Sequence, residues 1–124
     1  MTLEIDDTKT ITEIQDKFSM CFPLLKIDFC AKKHGWQEIC PESQIIHEDM
    51  PLSLLRKNHN PGTIEVKSWQ KVGEVEKEFY NKFGLSVQIS YKSGDRWIQT
   101  GKSDNVTIAF LMKKADAERN RVIL

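Results

Sequence analysis

The sequence has no excess of either charge, since 18 lysines and arginines balance 18 aspartates and glutamates. A chain without net charge exerts no overall field that would draw it to nucleic acid or anionic lipid. Divided at residue 62, the chain carries 7 basic and 10 acidic residues before that point and 11 and 8 after it, or about −3 and +3. That asymmetry is small, so nucleic acid is the less favoured partner.

Long apolar runs are also missing. No stretch approaches the roughly 18 apolar residues that a membrane span requires. The opening residues, MTLEIDDTKT, have neither the basic nor the apolar region of a signal peptide. We therefore expect a cytoplasmic protein with no membrane partner.

Cysteine is scarce, with three residues at Cys21, Cys30 and Cys40. An odd number without a paired framework predicts no disulfide and suits a reducing compartment. Cys21 continues the apolar stripe of a predicted helix, so we expect it to be buried.

Short motifs with known chemistry are absent as well. The sequence contains none of the glycine-rich phosphate loops, the H-E-x-x-H pair or the G-x-S-x-G elbow. No cofactor is therefore predicted, and an enzymatic function is not favoured.

What the chain does contain is the composition of one globular domain, residues 1–124, with 40% hydrophobic and 29% charged residues. Its first helix is predicted from the capping box of Thr10 and Glu13 and from an apolar stripe that ends at Pro23. A second helix is predicted to begin near Lys71 and to end at Gly84.

The sequence also matches itself at an offset of 61 residues. Both predicted helices, the strand before each and the tryptophan after each keep this register. The matched pairs include Ile11 with Val72, Glu13 with Glu74, Ile14 with Val75, Phe18 with Phe79, Phe22 with Phe83, Leu24 with Leu85 and Trp36 with Trp97. Such self-similarity predicts an internal repeat, with copies at about 2–60 and 63–120.

The predicted fold class is α+β. Each copy is predicted as β-α-β-β-α, and together they form one pseudo-symmetric domain with an antiparallel or mixed sheet and helices packed on one face. In the first copy Trp36 to Cys40 is predicted as a return strand, and in the second the hairpin turns at Ser93 to Asp95. The first copy extended by the next strand also fits the ferredoxin-like order. For Val106 to Met112 both a helix and a strand remain open.

A metal site is one alternative function. Side chains that could ligate zinc fall within one short window: Cys30, His34, Cys40 and His47. Their spacing matches no familiar zinc motif, so core cysteines and loop histidines are the favoured interpretation and no metal is predicted.

A nucleic-acid surface at the two predicted hairpins is a second alternative. Cations and aromatic rings occur together there, as they do in phosphate-binding and base-stacking surfaces. Trp69 has no aromatic counterpart in the first copy and is a candidate contact residue. The candidate binding residues are Lys92, Arg96, Trp97, Trp69, Trp36 and His34.

Protein interaction is the leading functional class. Small neutral domains that carry no chemical motif and leave a sheet edge open commonly serve as adaptors, inhibitors or homodimers. We therefore expect a protein partner, and a second copy of the chain is one candidate.

The segments F-x3-F-P-L-L-K-I-D-F and F-G-L-S-V-Q-I-S-Y-K-S-G-D-R-W resemble small single-domain bacterial proteins of unassigned function. The resemblance covers most of the chain from Ile11 to Asp104. It implies an α+β domain and supplies no catalytic residues.

Overall fold

The computed structural model describes residues 1–33, 35, 38–101 and 105–119. The described chain contains three helices, five strands and two short 3-10 turns, which confirms the α+β class. The strands are β1 (Thr2–Ile5), β2 (Leu25–Phe29), β3 (Gly62–Glu65), β4 (Val87–Ser93) and β5 (Arg96–Gln99), the helices are α1 (Ile11–Cys21), α2 (Val72–Phe83) and α3 (Ile108–Arg119), and the 3-10 turns are Glu42–Gln44 and Leu52–Leu54.

Local sequence explains where the first two helices begin and end. Thr10 caps α1 by accepting a hydrogen bond from the backbone N–H of Glu13 at 3.3 Å. Lys71 precedes α2 without a side-chain cap, and Gly84 ends that helix in the left-handed conformation, with φ of 66°. Glycine adopts this conformation without steric cost, so the predicted stop at Gly84 is confirmed.

The strands form two antiparallel sheets rather than one. In the smaller sheet β1 pairs with β3, and Leu3 lies opposite Ile64. In the larger sheet the order is β2-β4-β5, with Ile27 opposite Ile89. The expectation of a single sheet was therefore too simple, whereas antiparallel pairing is confirmed.

The core lies between these sheets and the three helices. Helix α3 is on the same side of the larger sheet as Tyr91, because the Lys114 ammonium lies 5.2 Å from the centre of the Tyr91 ring. The open assignment of Val106 to Met112 is also resolved, since Ile108–Arg119 is helical. The residues of lowest exposure include Leu3, Ile5, Phe18, Leu25, Ile27, Phe29, Leu52, Ile64, Val72, Phe79, Ile89, Ile108, Leu111 and Ala115.

The segment after β2 differs most from the prediction. Residues 38–40 do not belong to a strand, and Trp36 and Gln37 lie outside the described residues, so no return strand is described there. Cys30 and Cys40 instead form a disulfide, with Cα atoms 6.2 Å apart. The prediction of no disulfide was wrong, because an odd cysteine count leaves room for one pair. Disulfides persist mainly in oxidising compartments, so the cysteine content no longer argues for a reducing one.

The prediction for Cys21 was also wrong. It is an exposed free cysteine, because it falls at the edge of the apolar stripe in the final turn of α1. Among the described residues, no helix combines the length and the apolar composition that crossing a bilayer would need.

Candidate binding surfaces

One face of the larger sheet carries mostly polar side chains. Lys26 lies opposite Ser90 and Ser90 opposite Gln99, while Lys92 lies opposite Trp97. Directly paired residues point to the same side of a sheet and residues two apart along a strand do so too, so these five side chains share one face. The opposite face holds the buried apolar residues of the core.

Trp97 is the exposed aromatic residue of this polar face. Its side chain is 38% exposed, and the ammonium groups of Lys26 and Lys92 lie 5.1 and 5.5 Å from its ring centre. Ser90, on the same face, is only 1% exposed. We call Lys26, Lys92 and Trp97 the Trp97 face, in which the ammonium groups of two lysines lie over a partly exposed indole ring.

The other end of the polar face is covered by the backbone around Cys40. The Gln99 amide accepts a hydrogen bond from the Cys40 N–H at 2.8 Å and donates one to the Cys40 carbonyl at 2.7 Å. Gln88 also accepts from the Cys40 N–H, at 3.2 Å. The disulfide to Cys30 and these bonds together hold Cys40 against the sheet.

Next to Gln88, buried polar side chains form hydrogen bonds with the backbone of β4. The Ile89 N–H donates to the Glu76 carboxylate at 2.8 Å, and the Thr100 hydroxyl donates to the Ile89 carbonyl at 2.9 Å. The side chains therefore extend the hydrogen bonding of β4 just past Gln99, where β5 ends. Their role is structural, because buried backbone groups need partners.

The structure unites some of the predicted binding residues and separates others. Lys92 and Trp97 lie together, whereas Arg96 precedes Trp97 by one residue and so points to the opposite side of the sheet. Lys26 was missed because its contact with Trp97 depends on the pairing of β2 with β4, which one sequence does not reveal. His34 and Trp36 lie outside the described residues.

Trp69 belongs to a second surface. It is 70% exposed, and Phe110 is 52% exposed. The Ala109 N–H donates to the Ser68 carbonyl at 2.8 Å, so the two aromatic residues are each one position from a shared backbone hydrogen bond. We call Trp69 and Phe110 the aromatic ridge; sequence reasoning missed Phe110 because α3 was read only for its buried stripe.

The proposed zinc ligands do not come together in the described part of the chain. Cys30 and Cys40 are joined in a disulfide, which leaves no thiolate for a metal, and the exposed His47 lies 3.1 Å from Glu42. His34 is outside the described residues. Within residues 1–33, 35, 38–101 and 105–119, no three histidine, cysteine or acidic side chains form a group that could hold a metal ion.

An ion pair between buried Arg56 and partly exposed Asp7 ties the 56–60 segment to the turn after β1. The Arg56 guanidinium, whose side chain is fully buried, lies 2.9 Å from the Asp7 carboxylate and donates to the Phe83 carbonyl at 3.2 Å. His59 lies 2.7 Å from the other Asp7 oxygen. Partial desolvation raises the pKa of Asp7, but hydrogen bonds from Arg56 and His59 outweigh it and hold that pKa below its ordinary value.

A groove between β1 and α1 is too small to serve as a site for an organic ligand. Its volume is about 70 Å³, and it is lined by Leu3, Glu4, Lys9, Glu13, Ile14 and Lys17. Ligand pockets commonly occupy about 300 to 1,000 Å³.

Comparison of the chain with protein-family models, with curated proteins and with solved structures finds no match. The two exposed surfaces are therefore interpreted from their own geometry.

Proposed function

We propose that the chain is a non-catalytic protein-interaction domain and that its partner is a second copy of itself. The observation that carries this proposal is the aromatic ridge, in which Trp69 and Phe110 are each more than half exposed on adjoining backbone segments. Large aromatic side chains supply much of the energy at the centre of protein interfaces.

The backbone under the ridge is well fixed, which favours binding. The Ile108 N–H donates to the Gln70 carbonyl at 3.0 Å, next to the bond between Ala109 and Ser68. Lys71 and Thr107 also form an isolated antiparallel bridge. A surface already ordered in the free protein loses less entropy on association than a flexible one.

Charge favours a second copy as the partner. The net charge is zero, so two copies do not repel each other at long range. The Lys67 ammonium lies 5.6 Å from the Trp69 ring, which places one cation at the margin of the ridge. An apolar centre with a polar margin is the usual arrangement of an interface.

We also propose that the domain is built from two copies of one unit, offset by 61 residues. Two registers support this duplication. Leu3 lies opposite Ile64, its own counterpart at this offset. Between β2 and β4, Ile27 pairs with Ile89 and Asp28 pairs with Gln88. Replacing each residue of one pair by its counterpart at this offset gives the other pair. The ridge lies where the copies differ, since Thr8 stands where the second copy has Trp69.

Light scattering coupled to size-exclusion chromatography tests the interaction directly. We expect a concentration-dependent dimer, and we expect the Trp69→Ala, Phe110→Ala double variant to be monomeric. Matched controls are Met20→Ala and Leu54→Ala, which remove exposed apolar side chains elsewhere. A wild-type monomer at roughly 1 mM, where an interface of only about 4 kcal/mol would still be half occupied, contradicts self-association. Equal dimerisation by the double variant contradicts the ridge as the interface.

A further inference from the structure

The Trp97 face has a chemistry different from that of the aromatic ridge. It combines an exposed ring with cations drawn from two strands, since Lys26 is on β2 and Lys92 on β4. Both ammonium groups lie within 5.5 Å of the centre of the Trp97 ring. Single-stranded nucleic acids are bound by this combination, in which bases stack on aromatic rings and basic side chains neutralise the phosphates.

We infer that the Trp97 face binds single-stranded nucleic acid, with one base stacked on the Trp97 indole and the adjoining phosphates neutralised by Lys26 and Lys92. This activity is separate from the proposed self-association. The two surfaces are on different elements, because Trp97 is on β5 whereas Trp69 precedes α2 and Phe110 is on α3.

Local charge supports this inference although the whole chain is neutral. The Lys26 ammonium lies 3.3 Å from the Asp28 carboxylate, so part of its charge is already compensated. Lys92 has no carboxylate within ion-pair distance among the described residues, and its side chain is half-buried beside the ring. A phosphate at the Trp97 face would therefore approach Lys92, whose charge is not compensated by a described carboxylate, and Lys26, whose charge is shared with Asp28.

The exposed indole favours nucleic acid over an acidic peptide. Carboxylates of a peptide would draw the two ammonium groups away from the ring and put no stacking partner in their place. A nucleotide uses both features at once, because every base has a π face. Sequence preference is not expected, since the Trp97 face offers charge and stacking rather than a pattern of hydrogen-bond donors and acceptors.

Fluorescence anisotropy of labelled single-stranded oligothymidylate and oligouridylate, titrated with the full chain at two salt concentrations, tests this inference. We expect binding that weakens with salt. The Lys26→Ala, Lys92→Ala double variant should bind at least tenfold more weakly, and its log–log salt dependence should be shallower by about 1.4, or about 0.7 for each phosphate contact. The control is Lys17→Ala with Lys57→Ala, which removes two exposed lysines elsewhere and should change binding less than twofold.

Tryptophan fluorescence provides the stacking readout. In a Trp36→Phe, Trp69→Phe background only Trp97 emits, and oligonucleotide should quench it. Trp97→Ala should weaken binding at least tenfold, whereas Trp69→Ala should not; circular dichroism establishes that each variant is folded. These results also separate the two proposals, because the Trp69→Ala, Phe110→Ala variant should keep its oligonucleotide binding.

Three outcomes would overturn the inference. The first is no binding of either oligonucleotide by the wild type at low salt. The second is equal binding by the two lysine double variants. The third is a polyglutamate peptide binding as tightly as the oligonucleotides, since that result would assign the Trp97 face to acidic protein segments.

Discussion

The two halves of the chain begin alike and diverge after their second strands. At the start of α1 the Ile11 N–H donates to the Met50 carbonyl at 3.0 Å, and at the start of α2 the Val72 N–H donates to the Val106 carbonyl at 2.9 Å. After β2, however, a disulfide joins Cys30 to Cys40, whereas β4 turns tightly at Gly94 into β5. The core is therefore built from similar parts, and the surfaces come from the segments that differ.

Two side chains 61 positions apart, one in each half, hold similar places but differ in polarity. Gln15 on α1 donates to the Ile27 carbonyl at 3.0 Å. Glu76, which is 61 positions later on α2, accepts from the Ile89 N–H at 2.8 Å. Each helix thus satisfies a backbone group of the strand beside it, and the side chain matches whether that group is a donor or an acceptor. The two side chains thus have the same structural role with different chemistry.

The largest effect is expected from truncating a large core side chain in either half. Phe18 and Phe79 are both fully buried, and each Phe→Ala substitution should lower the free energy of unfolding by about 3 to 5 kcal/mol in urea denaturation. If the halves contribute equally, the two losses should agree within about 1 kcal/mol.

The control for this comparison is Met20→Ala, since Met20 is 80% exposed and its loss should cost less than about 0.5 kcal/mol. Phe→Leu variants keep the comparison measurable if an alanine variant does not fold. A loss below about 1 kcal/mol at one site only would show that one half dominates the core.

The disulfide should have the next largest effect, and the second half contains no cysteine that could form a counterpart. Cys30 and Cys40 are separated by 10 residues, so closing this loop should stabilise the fold by about 2 to 3 kcal/mol. Urea denaturation of the Cys30→Ser, Cys40→Ser variant should show that loss, while Cys21→Ser should match the wild type.

Thiol alkylation of the denatured protein gives a second measurement of the same bond. Before reduction only Cys21 should react, and after reduction all three cysteines should do so. Reaction of all three without reductant would mean that the bond is not formed in the purified protein.

Local signals in the sequence were sufficient to predict much of the fold. The hydroxyl cap at Thr10, the stop at Gly84 and the hairpin after β4 each depend on residues close together in the chain. The division into two sheets, the disulfide and the contact of Lys26 with Trp97 were missed. These features depend on which distant strands pair, and hydrophobic alternation alone does not determine that choice.

An ion pair found only in the first half should give it a distinct pH dependence. The pKa of Asp7 is held below its ordinary value of 3.8, so the folded state favours the charged carboxylate. The resulting stability is present above pH 3.8 and is lost as the pH falls through the folded pKa. Asp7→Asn should therefore be less stable than the wild type at pH 7, and the difference should shrink as acid protonates Asp7.

Urea denaturation between neutral and acidic pH measures this effect. Asp16→Asn is a suitable control because Asp16 is exposed and forms no ion pair within the described part of the chain. The second half has Ser68 at the place of Asp7, so it offers no equivalent pair. A constant difference between wild type and Asp7→Asn at every pH would contradict the ionic origin of the effect.

The smallest effect concerns the helix caps, where the second half can be made to resemble the first. Thr10→Ala should lower the free energy of unfolding by about 1 kcal/mol, because the Glu13 N–H loses its acceptor. Lys71 is the residue before α2; its backbone is extended and its side chain forms no capping hydrogen bond. Glu74 follows it by three residues, as Glu13 follows Thr10. Lys71→Thr should create the same hydroxyl cap and remove a cation from the positive end of α2, raising stability by about 0.5 to 1 kcal/mol in urea denaturation. Lys71→Ala separates these contributions, since it removes the charge without adding a cap; equal stability of the two variants would contradict the cap.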